Sequence, residues 1–266
     1  MEPKLVFFDI DGTLKPYRSP VPEPTKEALR LLRENGHRPI LCTGRTLRVA
    51  VANDWAEELN FAGIICAAGG HVVYQGETVY FDALTPEETV WLHDLLWGCG
   101  CTFVLEGPEG LYYEPAQAAA VQALWGNVFG PSVPLVPYVS GQQMPVQKAF
   151  IASGQLLEER GCVPALEQRF QVLWYGENHQ MAELVPKELS KATGIQALLT
   201  HLGMTREDTY AFGDGPNDVE MLRFCGCGIC MGDGQAAAKA AADYITGPCD
   251  GSGIYDACLH FGLIGS

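Results

Sequence analysis

The chain has 266 residues, is 47% hydrophobic and 18% charged, and carries a formal net charge of −15. That length can bury a sizeable core, in one large domain or two smaller ones. The acidic balance disfavours nucleic acid and anionic membrane surfaces, which need clustered Lys and Arg. A chain this acidic that handled phosphate would need a local cation, either a metal or a well-placed lysine.

The N-terminus, Met1-Glu2-Pro3-Lys4, runs straight into an apolar stretch. With no basic segment before a long apolar run, and no run of membrane-spanning length, the expectation is a cytoplasmic protein. Its ten cysteines then read as reduced thiols. Leu5 to Phe8 is short and aromatic, as in a buried parallel strand. Asp9-Ile10-Asp11-Gly12-Thr13 follows directly, putting two carboxylates where open α/β sheets bind ligands. A polar turn is the plainer alternative.

A Pro-rich loop leads to an amphipathic helix, Thr25 to Asn35. Arg38 to Cys42 is a second strand, ending in Thr43-Gly44-Arg45. A helix over Leu47 to Leu59 and a strand over Gly63 to Cys66 follow, then a hairpin from Val72 to Phe81 turned at Gln75-Gly76. This is the alternation of a parallel sheet covered on both faces. From about Ala83 the pattern changes. Helices are expected at Pro86 to Trp97, Ala116 to Val128 and Leu156 to Phe170. The strands expected among them are Cys101 to Leu105, Leu111 to Glu114, Gln147 to Ile151, Gln171 to Tyr175 and Met181 to Val185. Adjacent strand pairs suggest a small α+β domain over residues 84–186, inserted into a core formed by 1–83 and 187–266. The βαβ order resumes with helices at Leu189 to Leu202, Asn217 to Arg223 and Ala236 to Ala242. Strands fall at Thr209 to Phe212, Cys227 to Met231 and Tyr244-Ile245. Cys225, Cys227 and Cys230 lack the paired spacing of a structural metal site and read as small buried residues.

Four polar clusters stand at the ends of core elements: Asp9 with Asp11, Thr43-Gly44-Arg45, Lys191, and Gly213-Asp214-Gly215-Pro216-Asn217-Asp218. In a parallel sheet such strand ends converge on one cleft. Crowded acids would drive one another's pKa upward unless a cation sits among them, and oxygen donors suit Mg²⁺ better than zinc. The Thr43 hydroxyl, backbone amides at Gly44 and the Lys191 amine suit a phosphoryl group.

These clusters, in this order, resemble the four motifs of the haloacid dehalogenase superfamily. The tail, from Met231-Gly232-Asp233-Gly234 to Asp250-Gly251-Ser252-Gly253-Ile254, is similar to that of Cof-type phosphatases. The interval from Asp9 to Thr43 is too short for a helical cap, whereas the long one from Thr43 to Lys191 is similar to the branch carrying an α/β (C2-type) cap there. The resemblance implies an α/β Rossmannoid core and a Mg²⁺-dependent phosphatase acting on small phosphorylated metabolites of the sugar-phosphate kind. It implies Asp9 as nucleophile, through an aspartyl-phosphate, and Asp11 as acid–base. Mg²⁺ would be held by Asp9, the Asp11 backbone carbonyl and Asp214. Thr43, Gly44, Lys191 and Asn217 would bind the phosphoryl oxygens, with Asp218 in support. Arg45 adjoins Thr43 and could meet the cap or an anionic substrate.

Two positions depart from the family pattern. Ala68-Gly69-Gly70 stands where Asn-Gly-Ala is usual, and Ala192 where a glycine is common after the lysine. In the inserted domain, Glu183 and His179, within the polar segment 176–183, are candidates for reading the leaving group, with a solvated hairpin tip as the alternative. A phosphomutase of the same cap class and a non-catalytic phosphate-binding protein are competing functions. The expected assembly is a monomer or weak homo-oligomer.

Overall fold

The computed structural model describes residues 2–17, 19–52, 59–128, 132–140 and 142–265. Two compact units divide the chain: Met1–Gly44, Asp54–Phe81 and Ser190–Ser266 form one, Arg45–Asn53 and Asp82–Leu189 the other.

The first unit is built on an eight-stranded sheet. Its strands are β1 (Leu5–Phe8), β2 (Arg38–Cys42), β3 (Gly63–Cys66), β4 (His71–Tyr74), β5 (Glu77–Phe81), β12 (Thr209–Gly213), β13 (Cys227–Cys230) and β14 (Tyr244–Ile245). Their spatial order is β14-β13-β12-β1-β2-β3-β4-β5. Pairing is parallel from β14 through β3 and antiparallel in the β3-β4-β5 hairpins. The period of two along β1 explains why it is apolar throughout. Val6 and Phe8 join one buried layer with Leu29 and Leu32 of helix Glu23–Glu34 and Ile254 and Cys258 of helix Gly253–His260. Leu5 and Phe7 join the other, with Ile195 and Leu198 of helix Lys191–Leu202 and Met221 of helix Val219–Phe224. The central pair is fixed further by Phe8 stacked on Phe212, ring centroids 4.9 Å apart.

The second unit holds a six-stranded sheet of β6 (Phe103–Gly107), β7 (Gly110–Tyr113), β8 (Leu135–Pro137), β9 (Lys148–Ile151), β10 (Phe170–Tyr175) and β11 (Met181–Pro186), ordered β10-β11-β9-β6-β7-β8. All its pairings are antiparallel except β7 with β8. Arg45–Asn53 segregates with this unit because Val49 packs with Val104, Leu111, Val121 and Val133.

Three expectations are corrected. The helix expected over Leu156 to Phe170 is two short ones, Gln155–Glu159 and Val163–Leu166. Gly161, at φ 65°, ends the first, and Pro164 sits in the first turn of the second, where its missing N–H costs nothing. Helix Gly253–His260 closes the chain where only a motif resemblance was read. Cys99 and Cys162 form a disulfide, so they are not reduced thiols; the other eight cysteines are free. Cys99 caps helix Pro86–Gly98 and Cys162 caps Val163–Leu166, and both fall into the second unit's main core. Of the helix expected over Leu47 to Leu59, Leu47–Ala50 is helical, and 53–58 lie outside the described residues. Cys225 and Cys230 are buried, with β13 carrying Cys227 and Cys230. No described helix is long and apolar enough to cross a membrane.

Candidate active site

Asp9 is the first residue past β1, and its amide donates to the Phe212 carbonyl at 3.1 Å, continuing the ladder to β12. Because Phe8 lies opposite Phe212, the next residues on the neighbouring strand are Gly213 and Asp214. Parallel pairing alone therefore brings two sequence-distant carboxylates together. The chain turns sharply after Asp9 through Gly12, at φ 92°, where any Cβ would collide with the Asp214 carboxylate. Thr13, next in this turn, donates its hydroxyl to Asp214 Oδ1 at 2.8 Å and so fixes that carboxylate.

Lys191 is the first residue of its helix, with Ser190 as N-cap and Thr193 completing a capping box. A helix start repels a cation. Two acids hold it there: Nζ donates to Asp9 Oδ1 at 2.5 Å and to Asp218 Oδ1 at 2.6 Å. All three residues are buried. The other Asp218 oxygen accepts from the backbone amides of Asp214 and Gly215, each at 2.9 Å. Both oxygens of Asp218 are therefore committed, and it serves to place Lys191 and the Asp214 backbone. The start of the lysine helix is seated on the loop after β3. There Gly69, at φ 100°, passes so close to Ser190 that a Cβ would overlap the Ser190 carbonyl. Helix residue Gly194 packs against that same loop.

Thr43 is buried just past β2, its amide donating to the Ile65 carbonyl at 2.8 Å. Since Phe8 lies opposite Leu41, Asp9 and Thr43 follow adjacent strand ends. Gly44 comes next in chain and ends its segment of the first unit; Arg45 opens the segment that belongs to the second. Asn217 is exposed on the Pro216–Asp218 turn beside Asp214. Asp11 is partly exposed and ion-paired with Lys15 at 3.5 Å. The sequence reading gave Thr13 no role of its own and passed over Lys15. Thr13 could have been found from its place in the first motif; Lys15 offered only its spacing of four from Asp11.

The two inserted-domain candidates have partners within the second unit. Glu183, on β11, accepts from Lys148 and, at 2.9 Å, from the Tyr175 hydroxyl. His179 Nδ1 lies 2.9 Å from Glu158 Oε2, and its ring stacks on Trp174.

Burial drives Asp9 up to about 7, against the pull of Lys191, with Asp218 and Asp214 adding to the rise. Burial likewise drives Asp214 to about 6, against the Thr13 hydrogen bond. Burial disfavours charge on Lys191, but Asp218 and Asp9 outweigh it and raise its pKa. The site thus holds more negative charge than its lysine neutralises. Asp9, Asp214 and Asp218 offer oxygens within 4.8 Å of one another, the group among the described residues arranged for a metal ion. Hard oxygen donors and acids pushed toward neutrality fit a divalent cation. With Asp218 committed elsewhere, Asp9 and Asp214 are the carboxylates that would hold it.

The chain as a whole is similar to known proteins. YkrA of Bacillus subtilis (strain 168), provisionally named a phosphatase, is 29% identical over 99% of this chain and 100% of its own. A hypothetical protein from Geobacillus kaustophilus HTA426 superposes with a TM-score of 0.85 at 28% identity, covering 98% of this chain and 100% of the other. A sugar phosphatase of haloacid dehalogenase subclass IIB superposes with a TM-score of 0.80 at 30% identity, over 98% and 100% of the two chains. The family model of the haloacid dehalogenase-like hydrolases matches residues 6–258, from within β1 to within the last helix, and so takes in every motif of the site. The chain belongs to that family and is an enzyme of the haloacid dehalogenase superfamily.

Proposed function

We propose that the protein is a Mg²⁺-dependent phosphatase that hydrolyses small phosphorylated metabolites, sugar phosphates among them, through an aspartyl-phosphate on Asp9. The observation that carries this is the buried Lys191 bridging Asp9 and Asp218, with Asp214 alongside. A carboxylate held by an ammonium group at a strand end is oriented for in-line attack. The sugar phosphatase named above supports the substrate class.

In the first step an Asp9 oxygen attacks phosphorus, the ester P–O bond breaks, and Asp11 gives its proton to the departing alkoxide. In the second, Asp11 takes a proton from water, the oxygen attacks phosphorus, the P–O bond to Asp9 breaks, and phosphate leaves. Lys191, Thr43, the Gly44 amide and Asn217 hold the phosphoryl oxygens as charge develops. Asp9, Asp214 and the Asp11 carbonyl would hold Mg²⁺, which would supply charge neutralisation and keep Asp9 ionised beside an anionic substrate. Residues 84–186 are assigned the choice of leaving group.

The test is phosphate release from a panel of phosphorylated sugars, nucleotides and cofactors with Mg²⁺, with and without chelator, coupled to mass-spectrometric trapping of phosphate on Asp9. Full activity after exhaustive chelation, or phosphate trapped on another residue, overturns the reading.

A further inference from the structure

We propose that Lys15 is a positioning residue for Asp11, holding its carboxyl toward the oxygen of the leaving group. This rests on the acid–base role given to Asp11 above. The turn that follows β1 closes on itself. The Lys15 amide donates to the Ile10 carbonyl at 3.1 Å, the Gly12 amide donates to the Lys15 carbonyl at 2.9 Å, and Asp11 and Lys15 form an isolated bridge. Leu14, within this turn, is fully buried and fixes it to the core.

The two side chains therefore start from backbones locked side by side. Lys15 Nζ stands 3.5 Å from Asp11 Oδ1, with the lysine side chain 14% exposed and the carboxyl 24%. A lysine in water samples many rotamers, whereas one this covered, on a pinned backbone, has few left. The separation is also informative. It is an ion-pair distance, longer than a normal N–H···O hydrogen bond. Lys15 thus acts on Asp11 as a point charge that favours one orientation of the carboxyl.

The consequence is specific to the leaving group. A strongly basic alkoxide cannot leave without a proton, whereas p-nitrophenolate can. The experiment compares kcat/KM, which reports steps up to cleavage of the ester bond, for the best alkyl phosphate of the panel and for p-nitrophenyl phosphate. It uses the wild type, Lys15→Met, Lys15→Arg and Asp11→Asn, with thermal melts to verify folding. A catalytic group displaced by about 1 Å costs on the order of 10²-fold. Lys15→Met is expected to lose about 10- to 100-fold on the alkyl phosphate and less than about twofold on p-nitrophenyl phosphate, with Lys15→Arg restoring most of the loss. Equal losses on both esters, or none, with Asp11→Asn still selective for the alkyl ester, overturn the role of Lys15 alone. Equal losses in Asp11→Asn itself overturn the acid–base reading on which it rests.

Discussion

Each unit buries one lysine between two carboxylates, and the two clusters behave differently. In the first unit Lys191 lies between Asp9 and Asp218. In the second, Lys148 on β9 lies between Glu106 on β6, 3.5 Å away, and Glu183 on β11. Glu106 and Lys148 are direct cross-strand partners. Burial raises the pKa of Glu106 against the pull of Lys148; it disfavours charge on Lys148 too, but Glu106 and Glu183 outweigh it. What differs is the surroundings. Around Lys148 the carboxylates receive neutral donors, Thr46 to Glu106 at 3.5 Å and Tyr175 to Glu183 at 2.9 Å. Around Lys191 a further carboxylate, Asp214, is added, and burial raises its pKa despite the Thr13 hydrogen bond and the pull of Lys191. A buried lysine between two carboxylates is enough for structure; a third acid crowded in at a strand end gives the donor set a cation would fit.

The largest effect that could break this contrast is on turnover. Asp9→Asn is expected to lower kcat by about 10⁴-fold or more, since removing a nucleophile disables the whole constellation. Its melting temperature should stay the same or rise, because burial disfavours the Asp9 charge and Lys191 keeps Asp218. A strong drop in melting temperature would make Asp9 a structural acid like Glu106. The mirror experiment is Lys148→Met, which strands two buried carboxylates and is expected to cost about 3–5 kcal/mol in denaturant unfolding. The triple variant Lys148→Met, Glu106→Leu, Glu183→Leu should recover most of that loss, because apolar groups of similar size replace a buried ion cluster at little cost. A triple variant as unstable as the single one would mean that the charges are needed for themselves.

A smaller effect concerns pH. Asp9 and Asp214 titrate near 7 and 6 in the folded chain, above the 3.8 of a free carboxyl. Between about pH 4 and 7 the folded state thus binds protons that the unfolded state does not, so this contribution to metal-free stability declines as pH rises through that window. His37 and His71 act oppositely: burial holds them below 6.5, so their contribution is present above that value and lost as pH falls. The difference in melting temperature between wild type and Asp214→Asn cancels the histidines and should shrink toward pH 5. Mg²⁺ should stabilise the wild type more at pH 8 than at pH 5, because it competes with protons for the same oxygens. Equal stabilisation at both values would remove Asp9 and Asp214 as its ligands.

The contrast also shows what a sequence displays. Asp9 and Asp214 were legible because each follows a short apolar run, and parallel pairing does the rest. Lys191 was legible only through the motif order, since nothing local marks a lysine as buried. Glu106, Lys148 and Glu183 belong to strands separated by helices and loops, and their meeting depends on the order β11-β9-β6, which alternation alone does not give. The one hint was a charge ending the apolar run Phe103-Val104-Leu105. The Cys99–Cys162 pair was illegible for the same reason, since it depends on how helix Pro86–Gly98 packs against residues 163–166. Gly161 and Pro164 are the local marks of the helix break within 156–170.

The smallest expected effect sharpens the comparison at the backbone. Each unit contains two consecutive non-glycine residues in the left-handed region: Ala67 and Ala68 at φ 51° and 53°, and Asn178 and His179 at φ 53° and 56°. An alanine there costs about 1–2 kcal/mol, whereas asparagine tolerates it through local hydrogen bonding. The strain at Ala68 is left uncompensated in the loop that seats the Lys191 helix. Ala68→Asn and Ala68→Gly are therefore expected to stabilise the protein by about 1 kcal/mol, and Asn178→Gly by much less. Denaturant melts of the three variants measure this directly. If Ala68→Asn gains stability and lowers kcat, the strained turn is part of how Lys191 is aimed at Asp9. If stability rises with kcat unchanged, Gly69 and Gly194 alone seat the helix, and Ala68 is a cost the fold carries without return.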